Sequence, residues 1–424
     1  MLGPGYRPEC DVRTESIMAQ DAENGPHTFG QRVRRARERR GQARPVLAGL
    51  VGRSTEWVKA IENDRLGMPR LPLLLRLAEA LGVDDLALLT GDERLATATY
   101  TKGAHPSLLR VKEALTDYNV LARDEEPAPA AALATRVRHA WQSWHGVGDH
   151  RTRVADVLPA LLADLKHASR AHDGADRRRV QVSLAQAYHL AQLYLSFQPA
   201  QELVMLTGDR SMTIAQDADS PRAIAASAWY LNHVFRDAGE RHEARVDLAM
   251  KSITLLDPDR GSEDITLGGL LHLAAALSYA KVGQKGNAER HWDKADEAAH
   301  RLGDGYAHPW LIFGQDMVNA YAITMNNDLI RSGAAVDAAT HIDLGTMPSA
   351  TRRSFHLIET ARAYSLEGES VAVVHLLKKA YKASPETARY NLFARGAAVE
   401  LAENGSAVIR DDVRGLARQL GVAA

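Results

Sequence analysis

Residues 28–70 hold the densest chemistry in this 424-residue chain. Arg32, Arg34, Arg35, Arg37, Arg39, Arg40, Arg44, Arg53, Lys59, Arg65 and Arg70 stand there against only Glu38, Glu56, Glu62 and Asp64. The segment carries +7 and the rest of the chain −8, although the formal net charge is −1. A compact basic stretch on an acidic body is the electrostatic footprint of a polyanion-binding module. Arg32 to Arg40 taken alone fit a solvated helix face equally well.

No comparable constellation supports covalent or metal chemistry. The sequence lacks a Gly-x4-Gly-Lys-Ser/Thr phosphate loop, a His-Glu-x-x-His zinc helix and a Gly-x-Ser-x-Gly elbow. Its 17 histidines are scattered. His291 and His300 flank a stretch with Asp293, Asp296 and Glu297, which reads as a solvated helix face. The single cysteine, Cys10, excludes a disulfide scaffold and a Cys-ligated metal site. We expect a protein that is not an enzyme and uses no cofactor or metal. No apolar run approaches membrane-spanning length, and residues 1–27 lack the apolar core of a signal peptide. A cytoplasmic protein without membrane contact is expected, with 1–27 a disordered tail. With 45% hydrophobic and 25% charged residues, two or three globular domains fit the length.

The elements that carry the basic stretch are short helices. Phe29, Val33 and Ala36 fall at helical spacing, and Gly41 closes that helix. Val46, Leu47, Leu50 and Val51 mark a second. Gly52 and Arg53 turn the chain, and Ser54 is placed to cap a third helix with Glu56 in its first turn. Trp57, Val58 and Ile61 supply its buried side. Leu71 to Leu81 form a fourth helix, and Asp84 to Leu89 a fifth.

This order resembles the helix-turn-helix domain of the phage repressor and Cro (XRE) type. The resemblance is carried by Phe29-Gly-Gln-Arg-Val-Arg-Arg, Leu47-Ala-Gly-Leu-Val-Gly52, Trp57-Val-Lys-Ala-Ile-Glu62 and Leu77-Ala-Glu-Ala-Leu-Gly-Val83. It implies a third helix lying in the major groove of double-stranded DNA. Carried over by position, Thr55, Glu56 and Ala60 face bases, with Ser54 and Lys59 beside them. Glu56 would accept from cytosine N4, and the Thr55 methyl would meet a thymine methyl. Arg44, Arg53, Asn63 and Arg65 are the implied phosphate contacts. Trp57 reads as core packing, as do Ile61, Leu47 and Leu50.

Three positions depart from that family. Ala43 stands where a Ser or Thr usually caps the second helix. Pro45 follows, which first-turn amides without helix partners tolerate. Asp64 replaces the usual Gly after the third helix and needs a partner near phosphates, with Arg65 the nearest candidate.

Residues 92–129 read as a linker holding one helix, Pro106 to Tyr118, with Leu108, Leu109, Val111, Leu115 and Tyr118 on one side. The stretch Arg123-Asp-Glu-Glu-Pro-Ala-Pro129 breaks the pattern. Beyond it, Leu133, Val137, Trp141 and Trp144, then Val154, Val157, Leu158, Leu161, Leu162 and Leu165, form two apolar stripes. Turns recur near Ser196, Gly239, Gly283, Asn326 and Gly368. Second helices then start near Ala200, Arg241, Lys285, Asp328 and Ser370. Ala200, Ala244, Ala288 and Ala372 recur just after the turns, where small residues allow close packing. Such a period means an α-solenoid over 130–424. The helix pairs resemble tetratricopeptide repeats with an incomplete consensus, and a bundle of unrelated pairs is the other reading.

The expected fold is all-α: a five-helix head over 28–91 and a tetratricopeptide-like solenoid. The first helices of the pairs would line a ligand groove with Tyr188, His189, Gln192, Asn232, Arg236, Asn319, Tyr321, Arg362 and Asn391. Asn can donate to and accept from a peptide backbone at once, though each of these Asn residues also fits an ordinary cap. The combination resembles repressor-type regulators with repeat domains from Gram-positive bacteria, including quorum-sensing regulators that bind signalling peptides. The Arg- and Ala-rich composition resembles that of actinobacteria. The resemblance implies a homodimer on a roughly palindromic site and a peptide or small-molecule ligand. An interaction scaffold with a vestigial head is the alternative.

Overall fold

The computed structural model describes residues 28–69, 71–83, 86–91, 102–118, 124–238, 242–345 and 347–422; residues 234–238 are described by backbone alone. The tail 1–27 with Cys10, and residues 92–101, lie outside them. All regular structure among the described residues is helical. Two compact units divide the chain, Met1–Thr101 and Lys102–Ala424.

The head is built from α1 (Phe29–Arg39), α2 (Arg44–Val51), α3 (Thr55–Glu62), α4 (Leu71–Leu81) and α5 (Leu86–Thr90). A capping box opens α1: Thr28 accepts from Gln31 N, and the Gln31 side chain accepts from Thr28 N. Val33, Leu47, Val51, Val58, Ile61, Leu74, Leu77 and Leu89 form its core. Trp57 packs against that core, half-buried. Leu50 departs from expectation. It is 57% exposed and Val46 52%. The eight-residue α2 turns a narrow stripe inward (Leu47, Ala48, Val51), and positions 46 and 50, one turn apart, fall on its outer side.

The helix expected within the linker belongs to the second unit. Helix α6 (Leu108–Thr116) packs on α8 (His150–Ala171). Leu108, Val111 and Leu115 join the main core, whereas Leu109 and Tyr118 are exposed. The α6 carbonyls also bind cations of the body: Lys166 Nζ donates to Ala114 O at 2.8 Å, and Arg210 Nη1 to Leu115 O at 2.7 Å.

The body is a solenoid of helix pairs. They are α7 (Ala130–Gly146) with α8, α9 (Gly174–Leu195) with α10 (Gln201–Asp217), α11 (Pro221–Ala238) with α12 (His242–Ile253), and α13 (Ser262–Lys281) with α14 (Lys285–Leu302). Next come α15 (Gln315–Asp328) with α16 (Ser332–Thr340) and α17 (Ala350–Leu366) with α18 (Ser370–Ala383). The short α19 (Pro385–Tyr390) leads to α20 (Leu392–Asn404) and α21 (Arg410–Leu420). Ala200 and Ala288 are fully buried at their turns. Ala244 is exposed and Ala372 half-buried, so close packing by alanine holds at only part of the repeat. Val157 in α8 also faces outward, at 46% exposure.

The first helices α7, α9, α11, α13, α15 and α17 pack in succession, and α17 returns to α7. The array therefore closes on itself. His145 of α7 joins the junction, with Nδ1 2.9 Å from Ser349 Oγ and Nε2 2.9 Å from Trp310 O. Glu386 of α19 makes a second junction, accepting from Arg151 N, from Thr152 N at 3.2 Å and from Thr152 Oγ1. Neighbouring pairs are also tied by Asp328, whose buried carboxylate takes Lys281 at 3.6 Å and Arg362 at 3.1 Å.

Candidate nucleic-acid interface and ligand cavity

The turn between α2 and α3 consists of Gly52, Arg53 and Ser54. Gly52 adopts φ 65° and ψ 43°, a left-handed conformation that glycine enters without steric cost. Ser54 Oγ accepts from Trp57 N at 3.2 Å and so caps α3. With Val58, Ile61 and Glu62 facing inward, Thr55, Glu56 and Lys59 are exposed on the opposite side, with Ala60 half-buried beside them. Arg53, Asn63 and Arg65 are exposed at the two ends of α3. All the head residues expected at DNA except Arg44 thus border one solvent-facing surface. Arg53, Lys59 and Arg65 have no ion pair among the described residues.

Arg44 is engaged differently. Its Nε lies 2.7 Å from Oε2 of Glu62, a carboxylate with no solvent exposure. Arg37 of α1 binds the same carboxylate, Nη2 to Oε2 at 3.2 Å. The hydrogen bond that Arg37 donates to Glu62 raises its guanidinium above its ordinary range. Glu62, the last residue of α3, therefore locks that helix to α1 and to the first residue of α2. Part of the positive charge counted in the sequence is spent inside the head: Arg32 likewise donates to Leu89 O and Thr90 O at the end of α5.

Asp64 pairs elsewhere than with Arg65. It accepts from Gly30 N at 2.9 Å and from Thr28 Oγ1 at 2.5 Å. Its φ is 54°, so the residue that replaces glycine keeps the left-handed turn. A short polar side chain is among the few that adopt it readily. The carboxylate then sits at the N-terminus of α1, where negative charge is stabilised. Gly30 is required for that approach, because a Cβ there would lie 2.2 Å from Ile61 O. Ala43 precedes α2 with no side-chain cap, and Pro45 stands in its first turn.

A helix-turn-helix domain family matches residues 28–89. The head is a helix-turn-helix DNA-binding domain. No curated protein matches the chain. The family covers this domain alone.

The residues expected to line a groove in the body are mostly interior. Tyr188, His189, Gln192, Asn232 and Tyr321 are all buried. His189 Nε2 meets Ser227 Oγ at 3.0 Å, and its ring stacks on Tyr230. Gln192 donates to Tyr230 O, Asn232 to Ala228 O, and Tyr321 OH accepts from Arg352. The physical reason is packing between successive helices: Tyr188 faces Arg210 of α10, Gln192 reaches α11, and Tyr321 faces α17. Asn391 is not within a first helix: it caps α20, accepting from Ala394 N at 3.0 Å. Arg362 is held by Asp328, and Asn319 accepts from Gln315 at 3.1 Å. The side chain of Arg236 lies outside the described residues.

The open space of the body lies elsewhere. A cavity of about 1330 Å³ is walled by α7 and α9, the N-terminal ends of α11 and α13, and the loop before α15. Trp141, Trp310, His308, Ser183, Arg138 and Arg178 are among its lining residues. Of these, sequence reading singled out only Trp141, and as a stripe residue. The loop residues His308 and Trp310 carry no periodicity that would place them there.

No described helix is long and apolar enough to cross a membrane.

Proposed function

We propose that the protein is a transcription regulator whose solenoid dimerises and senses a ligand. The observation that carries the proposal is the solvent-facing surface of α3, with Thr55, Glu56 and Lys59 between Arg53 and Arg65. Thr55, Glu56 and Ala60 read base edges, Ser54 and Lys59 stand beside them, and Arg53, Asn63 and Arg65 hold phosphates. Arg44 joins them when phosphate draws it from Glu62. The likeness to repressor-type regulators with tetratricopeptide-like repeats supports this reading, as does the paired-helix build of the body. One head buries too little surface for high specificity, so two copies on half-sites about one DNA turn apart are required. A ligand in the body that prefers one arrangement of the pairs shifts the population competent for DNA. The reading includes no catalytic step, cofactor or metal.

The test is selection of bound duplexes from a randomised DNA library by the full chain. A conserved, roughly palindromic motif is expected, and the Arg44→Ala, Thr55→Ala double variant should lose it. Recovery of the same motif by that variant would remove α3 from the interface. A second reading, a protein-interaction scaffold with a weak head, is favoured by one observation: Glu62 withdraws Arg44 into an ion pair. Absence of any selected motif would favour it.

A further inference from the structure

We infer that the cavity over Trp141 and Trp310 takes a flat, conjugated small molecule bearing carbonyl or carboxylate oxygens. The inference rests on the reading of the body as a ligand sensor and names the chemistry of what is sensed. The shape and surface of the cavity suit a flat ring. Trp141 and Trp310 lie 5.1 Å apart by ring centroids, and Trp310 continues a near-parallel stack through Tyr230 at 11°. Trp310 is half-buried and lines the cavity, so a flat ring can extend the series.

Two ring donors that line the cavity, on His308 and Trp310, are unmatched among the described residues. His308 Nδ1 accepts from Leu311 N at 3.3 Å, which places the proton of the neutral ring on Nε2. Burial holds that imidazole neutral, at a pKa of about 4. Its Nε2–H and the Trp310 Nε1–H have no acceptor among the described residues.

The lining acids do not supply one. Asp176 faces Arg179, and Glu263 and Asp264 bind Arg222. Glu126 and Asp219 are exposed, as are the cations Arg138 and Arg178, which have no ion pair among the described residues. Indole and imidazole N–H groups beside aromatic faces are complemented by acceptor oxygens on a planar frame. The two arginines add a preference for acid.

The test is calorimetric titration of the full chain with anthraquinone-2-carboxylate, cyclohexanecarboxylate and a capped, uncharged hexapeptide. The anthraquinone should bind at least tenfold more tightly than either comparator. Trp310→Leu and His308→Gln should each weaken it about tenfold. The surface variant Arg138→Gln, Arg178→Gln should weaken it without disturbing the helical circular dichroism. Equal binding of the three probes, or anthraquinone binding unchanged in that surface variant, would overturn the inference. A parallel anisotropy titration on the selected duplex separates the two claims. Tight anthraquinone binding that leaves DNA affinity unchanged sinks ligand sensing and keeps the cavity assignment. A hexapeptide that alters DNA affinity where the anthraquinone does not bind keeps sensing and sinks the assignment.

Discussion

Glu62 Oε2 accepts from Arg44 Nε at 2.7 Å and from Arg37 Nη2 at 3.2 Å, so one fully buried carboxylate at the end of α3 holds both α1 and α2. Removing one partner of a buried pair leaves the other charge without compensation, at a cost of about 3–5 kcal/mol. Glu62→Ala should therefore unfold the head selectively. Hydrogen exchange across residues 29–62 should rise by two or more orders of magnitude, with 130–400 unchanged. Unaltered protection of α1 and α3 would contradict the lock.

Asp64 combines a left-handed backbone with two accepted hydrogen bonds at the start of α1. Asp64→Ala keeps the strain and loses both bonds, and should cost the head about 1–2 kcal/mol. Asp64→Gly relieves the strain and should cost less. A reversed order in chemical unfolding of the head would show that Asp64 has no capping role.

The body should be acid-sensitive. Burial drives His145, His189 and His356 down to about 3, with Arg352 adding to the effect at His145 and His356. Their folded pKa values lie below the unfolded 6.5. The stability they contribute is complete above pH 6.5 and is lost as pH falls toward the folded values. Each forfeits about 1.4 kcal/mol per pH unit in that window. Thermal melts should fall steeply between pH 6.5 and 5, and a flat midpoint over that range would contradict neutral burial.

Glu386 adds acid sensitivity at lower pH. Burial pushes its pKa up, but hydrogen bonds from His105 and Thr152 win and hold it at about 2. Its contribution persists down to about pH 4.5 and is lost below. At neutral pH, Glu386→Gln should raise hydrogen exchange at 148–154 and 384–390 while leaving α11 to α16 protected. Uniform loss of protection would mean that no local junction exists.

The head was legible because its signals are local. Gly41, Gly52 and Ser54 mark helix boundaries within a few residues, and the order of helices does the rest. Turn residues located some of the helix pairs: α13 ends at Lys281 and α14 begins at Lys285, around the expected turn at Gly283. By contrast, Asn326 and Asp328 lie within α15 and α16 begins only at Ser332, and Gly239 and Arg241 lie outside the described residues. The closure left no such trace. His145 meets Ser349, and Thr152 meets Glu386, across more than 200 residues, and no periodicity reports that pairing. Nor does periodicity report which face each neighbouring helix covers, so Tyr188, His189, Gln192, Asn232 and Tyr321 read as an open groove. The Glu62 network and the role of Asp64 were equally hidden, because a carboxylate's partner is set by tertiary approach.

The central claim, that α3 presents the head to duplex DNA, is tested most directly by the salt dependence of binding to the selected duplex. The logarithm of affinity should fall linearly with the logarithm of salt concentration, and Arg65→Ala and Arg53→Ala should each lower the slope by about one. Glu56→Ala should keep the slope and relax the preferred sequence. Duplex binding with no salt dependence, or slopes unchanged in both cation variants, would contradict the account.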